Sequence, residues 1–291
     1  MTLLSQKIES TNDETQRSEK VATFIILTAI GILVYTLAGY NYSIDSSTRL
    51  IVRIIVPITL AGFLFILKRM GRDLWFSIVF TFFSVSVGFL ATHFLGTWYR
   101  LVPGLSQDTA QGIALAKFAE VLPIVFAVIT LGFLVGENWT SIKMRGGDVY
   151  RSMRLGVYAL PLSYLSFLFM GGTIIVITGM EFLTIIPWIL LFALSNSFME
   201  ELIFRGVFLD KLEKLFGARM ALVQTSLIFA LFHVSVLQAT GFEMIAAFLV
   251  FIMILGFAWG YIVQKSDSIW GAVFAHAVAD IFVIIVGLGL F

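Results

Sequence analysis

From Val21 onward the chain is a succession of long apolar runs separated by short polar stretches. A helix needs roughly 20 apolar residues to cross about 30 Å of hydrocarbon. Nine runs come close to or meet that length: residues 21–40, 50–67, 74–95, 113–135, 155–177, 183–209, 219–238, 244–263 and 268–290. The pattern predicts an all-α, polytopic transmembrane bundle of about nine helices, or eight if one run does not cross. Residues 1–20 are polar and lack the apolar core and small-residue cleavage site of a secretory signal, so they are expected to form a cytoplasmic tail. The basic loop from Lys143 to Arg154 divides the remainder into an N-terminal group of transmembrane helices (21–154) and a C-terminal core (155–291).

Composition agrees with a lipid-embedded chain. Hydrophobic residues make up 59% of the 291 and charged residues 13%, against about 45–50% and 25% in soluble domains. A net charge of +1 offers no field for nucleic acid, which is not expected as a partner. The absence of cysteine removes thiol chemistry and disulfides. Where the basic residues fall is more informative, because cytoplasmic loops are enriched in them. One side collects Lys7, Arg17, Lys20, Lys68, Arg69, Arg72, Lys143, Arg145, Arg151, Arg154, Lys211, Lys214, Arg219 and Lys265. The other has Arg49, Arg53, Arg100 and Lys117. This asymmetry predicts a multi-pass integral membrane protein with its N-terminus in the cytoplasm and its C-terminus outside.

Arg205 belongs to neither set, since it falls inside the sixth run, IIPWILLFALSNSFMEELIFRGVFLD, together with Glu200 and Glu201. Charges in lipid cost from roughly 3 to more than 10 kcal/mol and therefore face a protein interior or a cavity and have partners. Glu201 and Arg205 are four apart, the spacing of a helical ion pair. Glu200 is turned about 100° away and is available to another group. His233 in the seventh run and His276 in the ninth are candidates, and Asp280 shares a helix face with His276. At about 1.5 Å per residue, Glu200 and His276 lie at similar depths and His233 deeper, less so if residues 211–221 run along the interface.

A carboxylate and an imidazole on one water can activate it for attack on a peptide carbonyl. A second imidazole can donate to the oxyanion that forms. The same groups, Glu200, His233 and His276, could instead hold Zn²⁺, and the spacing leaves both open. HExxH and GxSxG motifs are absent, and no GxGD motif lies within a span. Read singly, His233 is a packing histidine and Glu200/Glu201/Arg205 a structural ion network. Together with His276 they favour function, because one carboxylate would suffice for Arg205 and two are present. Asp280 fits either a local pair or a site. His93 is expected at an interface, Glu120 in a partly hydrated pair with Lys117, and Glu137 and Glu243 at helix ends. Gly256 and Gly260 form a GxxxG pair suited to close helix packing.

Glu200-Glu201-x-x-x-Arg205, Phe229-x-x-x-His233 and His276-x-x-x-Asp280 resemble, in order and spacing, the three motifs of the CPBP family, which includes type II CAAX prenyl endopeptidases, Abi-like proteins and bacteriocin-processing proteins. The resemblance covers residues 155–291. It implies an intramembrane endopeptidase of the glutamate type that needs no cofactor and acts near the cytoplasmic face on a peptide or lipidated protein, CAAX-type prenylated proteins among the candidates. Glu200 and His233 would activate water, His276 and residue 280 would form the oxyanion hole, and Glu201, Arg205 and Phe229 would support the site. Asp280 departs from the family, which usually has Asn there: an amide can donate a hydrogen bond, whereas an ionised carboxylate only accepts. The alternative is a non-proteolytic membrane protein, either a proton-coupled transporter or an immunity-type scaffold. Neither internal repeats nor paired broken helices of the transporter kind are evident.

Overall fold

The structure, a computed structural model, describes residues 18–39, 44–169, 171, 180–236 and 241–289. Most of the polar tail lies outside the described residues, as do residue 40 of the first expected span, 170 and 172–177 of the fifth, 237–238 of the seventh and 290 of the ninth. Among the described residues the chain is helical and contains no strand.

Ten helices are distinguished among the described residues: α1 (Ser18–Leu37), α2 (Ser46–Arg69), α3 (Asp73–Leu95), α4 (Ala110–Leu134), α5 (Val149–Phe169), α6 (Met180–Glu201), α7 (Leu209–Phe216), α8 (Ala218–Phe232), α9 (Phe242–Ser266) and α10 (Trp270–Gly287). Among the described residues seven stretches are long and apolar enough to span a bilayer: α1, α2, α3, α4, the continuous α6–α7 stretch, α9 and α10. The other two expected spans are built differently. α5 has 21 residues but begins at Val149, six residues earlier than the apolar run, so Arg151 and Arg154 fall in its first turns. α8 has only 15 residues, about 22 Å of helix, short of the hydrocarbon thickness.

Local chemistry explains several boundaries. Asp45 accepts from the amides of Ser47 and Thr48 at the start of α2, both at 3.0 Å. Thr109 accepts from Gly112 at the start of α4, and Asp148 from Arg151 at the start of α5. Each satisfies amides that a helix N-terminus leaves without a partner. Arg53, counted above with the loop cations, is buried on α2. Its guanidinium donates to the carbonyls of Ala38 at 2.7 Å and Gly39 at 2.8 Å, closing the C-terminal end of α1.

α10 packs against α5 and α6, α4 against α3 and α6, and α8 against α9. Small residues set the closest approach. A Cβ added to Gly271 on α10 would lie 1.9 Å from the Ser152 carbonyl oxygen on α5, and one on Gly156 would lie 2.5 Å from the Gly271 oxygen. The GxxxG pair behaves likewise toward α8, since a Cβ on Gly260 would lie 2.4 Å from Leu222 Cδ1. An aromatic core of Tyr35, Phe82, Phe89, Phe204 and Phe232 ties α1 and α3 to the C-terminal helices.

Between α6 and α7 the backbone widens into a π-helical segment, Leu202–Phe208, every residue of which is buried. Such insertions concentrate at functional sites. This one follows directly on Glu200 and Glu201 and contains Arg205.

Candidate active site

Four elements meet around Glu200: the end of α6 with the π segment, the end of α8, the middle of α9 and the middle of α10. The seven residues expected there are all brought together.

Glu201 and Arg205 are completely buried. Arg205 Nη1 donates to Glu201 Oε1 at 2.9 Å, and Nη2 donates to the Gly256 carbonyl at 2.7 Å. The guanidinium also lies 4.5 Å from the centre of the Phe229 ring, within cation–π range. The absence of a side chain at Gly256 is what opens this path, because a Cβ there would stand 3.1 Å from Phe229 and 3.2 Å from Arg205 Nη2.

Glu201 has a second task that its spacing from Arg205 does not disclose. The same Oε1 accepts from His276 Nδ1 at 2.8 Å, so one carboxylate oxygen aligns both the arginine and the imidazole. The His276 ring is further fixed by stacking on Trp259, with centroids 3.9 Å apart and planes 15° from parallel. With Nδ1 donating, Nε2 turns toward Glu200 Oε2 and Asp280 Oδ1, each 3.7 Å away.

His233 is set by the way α8 ends. At Phe232 the helix tightens into a 3-10 turn, His233–Val236, and the His233 amide bonds to Ala230 and Leu231 rather than to Phe229. The Phe229 carbonyl is thereby left for the His233 ring, whose Nδ1 lies 2.9 Å from it. A carbonyl only accepts, so Nδ1 carries a proton, and in the neutral ring Nε2 presents a lone pair. That atom lies 3.7 Å from Glu200 Oε2. The His233 side chain keeps 17% of its surface exposed against 3% for His276, so it is the imidazole more open to the cavity.

Glu200 therefore stands between two imidazoles, and its Oε2 is buried without a hydrogen-bond partner. Asp280 is held from the side: Asn196 Nδ2, one helical turn before Glu200 on α6, donates to Asp280 Oδ2 at 3.0 Å. Glu200, His233, His276, Asp280 and Asn196 all line a cavity of about 190 Å³, with Phe192, Phe248 and Phe251 among its apolar walls. Among the described residues no group of three or more His, Asp or Glu is arranged to hold a metal ion.

Asn196, Trp259 and Lys117, which also lines this cavity, were not among the residues expected at the site. Asn196 carries a usable signal, a polar residue in an apolar run four positions before Glu200. Trp259 carries none, since an aromatic residue among many in a membrane helix is unremarkable.

Fold and site together define a polytopic helical membrane protein with an acid–imidazole centre buried between its C-terminal helices. Residues 182–282 match the family model described as Type II CAAX prenyl endopeptidase Rce1-like, and over this segment the chain is similar to the CPBP/CAAX proteases. The matched segment contains all three motifs. Neither the comparison with curated proteins nor that with solved structures returns a match.

Proposed function

We propose that the protein is an intramembrane endopeptidase of the CAAX type, hydrolysing peptide bonds of prenylated substrates with a water activated by Glu200 and His233. The observation that carries the reading is the pair of acceptors facing each other across 3.7 Å, Glu200 Oε2 and His233 Nε2. Each can take a hydrogen bond from one water, and Glu200 Oε2 is buried with no hydrogen-bond partner among the described residues. Glu200 removes a proton as the water oxygen bonds to the scissile carbonyl carbon, which becomes tetrahedral. The proton then passes from Glu200 to the departing amide nitrogen as the C–N bond breaks, leaving a carboxyl group and an amine.

The oxyanion needs donors. His276 supplies one at Nε2 when both its ring nitrogens are protonated, and Glu201 and Asp280 are the carboxylates that balance that charge. Asp280 in this scheme acts through His276, and the departure from Asn at this position is accommodated because the acid is held by Asn196 while the imidazole donates. Arg205 keeps Glu201 aligned. The scheme requires no metal. The excess of basic residues in alternate loops supports a cytoplasmic N-terminus and access to the site from that face.

The test is to incubate the purified protein in lipid nanodiscs with a peptide bearing a farnesylated cysteine, with and without chelator, and to follow products by mass spectrometry. Cleavage at the carboxyl side of the modified cysteine, unchanged by chelator, is the expected result. Proton flux in vesicles with no peptide cleaved would replace the reading with a transporter.

A further inference from the structure

We propose that Lys117, on α4, binds the free C-terminal carboxylate of the substrate and so restricts the enzyme to chain ends. The proposal rests on the CAAX-type reading above. Lys117 lies outside the segment matched to the family, yet it lines the same cavity as Glu200, His233, His276 and Asp280. Its side chain is about four-fifths buried and bonded to Glu120 at 2.9 Å, and its ammonium is 6.0 Å from the centre of the Phe192 ring on α6.

Distance and charge both favour this role. Phe192 precedes Glu200 by eight residues, about 12 Å along the helix axis. A CAAX substrate cut after its cysteine carries three further residues, which span about 10 Å when extended. A peptide with its scissile carbonyl at Glu200 therefore brings its terminal carboxylate near the level of Lys117. That carboxylate enters a site whose acids, Glu200 and Asp280, repel it, and burial of an uncompensated charge is costly. Among the described residues that line the cavity, Lys117 is the one lysine or arginine. An ammonium has three N–H donors, so it can bind the substrate while keeping Glu120.

Two farnesyl-cysteine peptides with the same three downstream residues, one ending in a free carboxylate and one in a carboxamide, make the test. The unsubstituted protein should prefer the acid by about 10- to 100-fold in kcat/KM, the range of a hydrogen bond to a charged group. In Lys117→Met combined with Glu120→Gln, which removes both charges of the Lys117–Glu120 pair, the preference should fall toward one, and Lys117→Arg should largely keep it. A merely structural lysine would lower both rates together and leave the ratio unchanged, which would overturn the proposal, as would equal cleavage of both peptides by the unsubstituted protein. The same ratio, read as competitive binding to Glu200→Gln, separates the two readings. If neither peptide is cut but the binding preference disappears with Lys117→Met/Glu120→Gln, the hydrolase reading fails and the carboxylate site stands. No binding preference overturns the carboxylate site whatever the chemistry.

Discussion

Arg205 offers the most quantitative probe of how the site is held. Replacing it with Met removes one partner of a fully buried ion pair, the 2.9 Å contact to Glu201, and the 2.7 Å bond to Gly256. Stranding a buried charge costs about 3–5 kcal/mol, and one interhelical hydrogen bond within a membrane about 0.6–1.7 kcal/mol. Arg205→Met should thus destabilise by about 4–7 kcal/mol. Glu201→Gln strands the guanidinium instead and should cost about 3–5 kcal/mol. Making both changes removes both charges, leaving chiefly the lost bond to Gly256, so the double variant should be more stable than either single one. Unfolding in mixed micelles, followed by tryptophan fluorescence, gives the four free energies of the cycle. A double variant whose loss equals the sum of the single losses would refute a coupled pair, and the role given to Glu201 would fall with it.

Other consequences are more local. Asp280→Asn should keep peptide cleavage within about tenfold, because the amide retains an acceptor for Asn196 and adds a donor beside the oxyanion; Asp280→Ala should lose about 100-fold or more, and equal rates for the two would contradict a role at 280. Gly271→Ala places a methyl group 1.9 Å from the Ser152 oxygen and should lower the yield of folded protein and its melting temperature sharply, more than Gly287→Ala, whose added Cβ meets nothing within 4 Å. Glu137, in the connection after α4, is pushed up by partial burial, but its contacts with Lys211 at 2.8 Å and with Ser141 outweigh this and hold it below its ordinary value. Its contribution to stability is present above the unfolded value of about 4.3 and is lost as pH falls through the lower folded value. Denaturation curves at pH 3 to 7 should accordingly show a flatter acid limb for Glu137→Gln.

The site was legible in the sequence to the extent that it depends on charge. Glu200, Glu201, Arg205, His233, His276 and Asp280 stand out because ionisable groups are costly in apolar runs, and four-residue spacings put them on common helix faces. Uncharged supports were hidden: Trp259 looks like any membrane aromatic, and Asn196 gains meaning only once α6 and α10 are known to touch. The second bond of Glu201, to His276, joins residues 75 apart in the chain, a relation that no local spacing encodes. Apolarity also misjudged backbone. The run at 183–209 reads as one helix, yet it becomes a π segment at Leu202, and the run at 219–238 outlasts α8, which ends at Phe232. The break after α7 at Gly217, with φ of 82°, follows from a residue that tolerates positive φ and separates that amphipathic turn from α8. The end of α8 in a 3-10 turn at His233 leaves the Phe229 carbonyl to orient the His233 ring, a local detail that apolar run length does not report.

The measurement that bears most directly on the account is cleavage of the farnesylated peptide by Glu200→Gln, compared with the unsubstituted protein in the same nanodiscs. Gln keeps the shape of the side chain but cannot take the proton from water. Loss of about 10²- to 10⁴-fold in rate, with peptide binding and melting temperature retained, is the predicted result. An undiminished rate would contradict the assignment of Glu200 as the base.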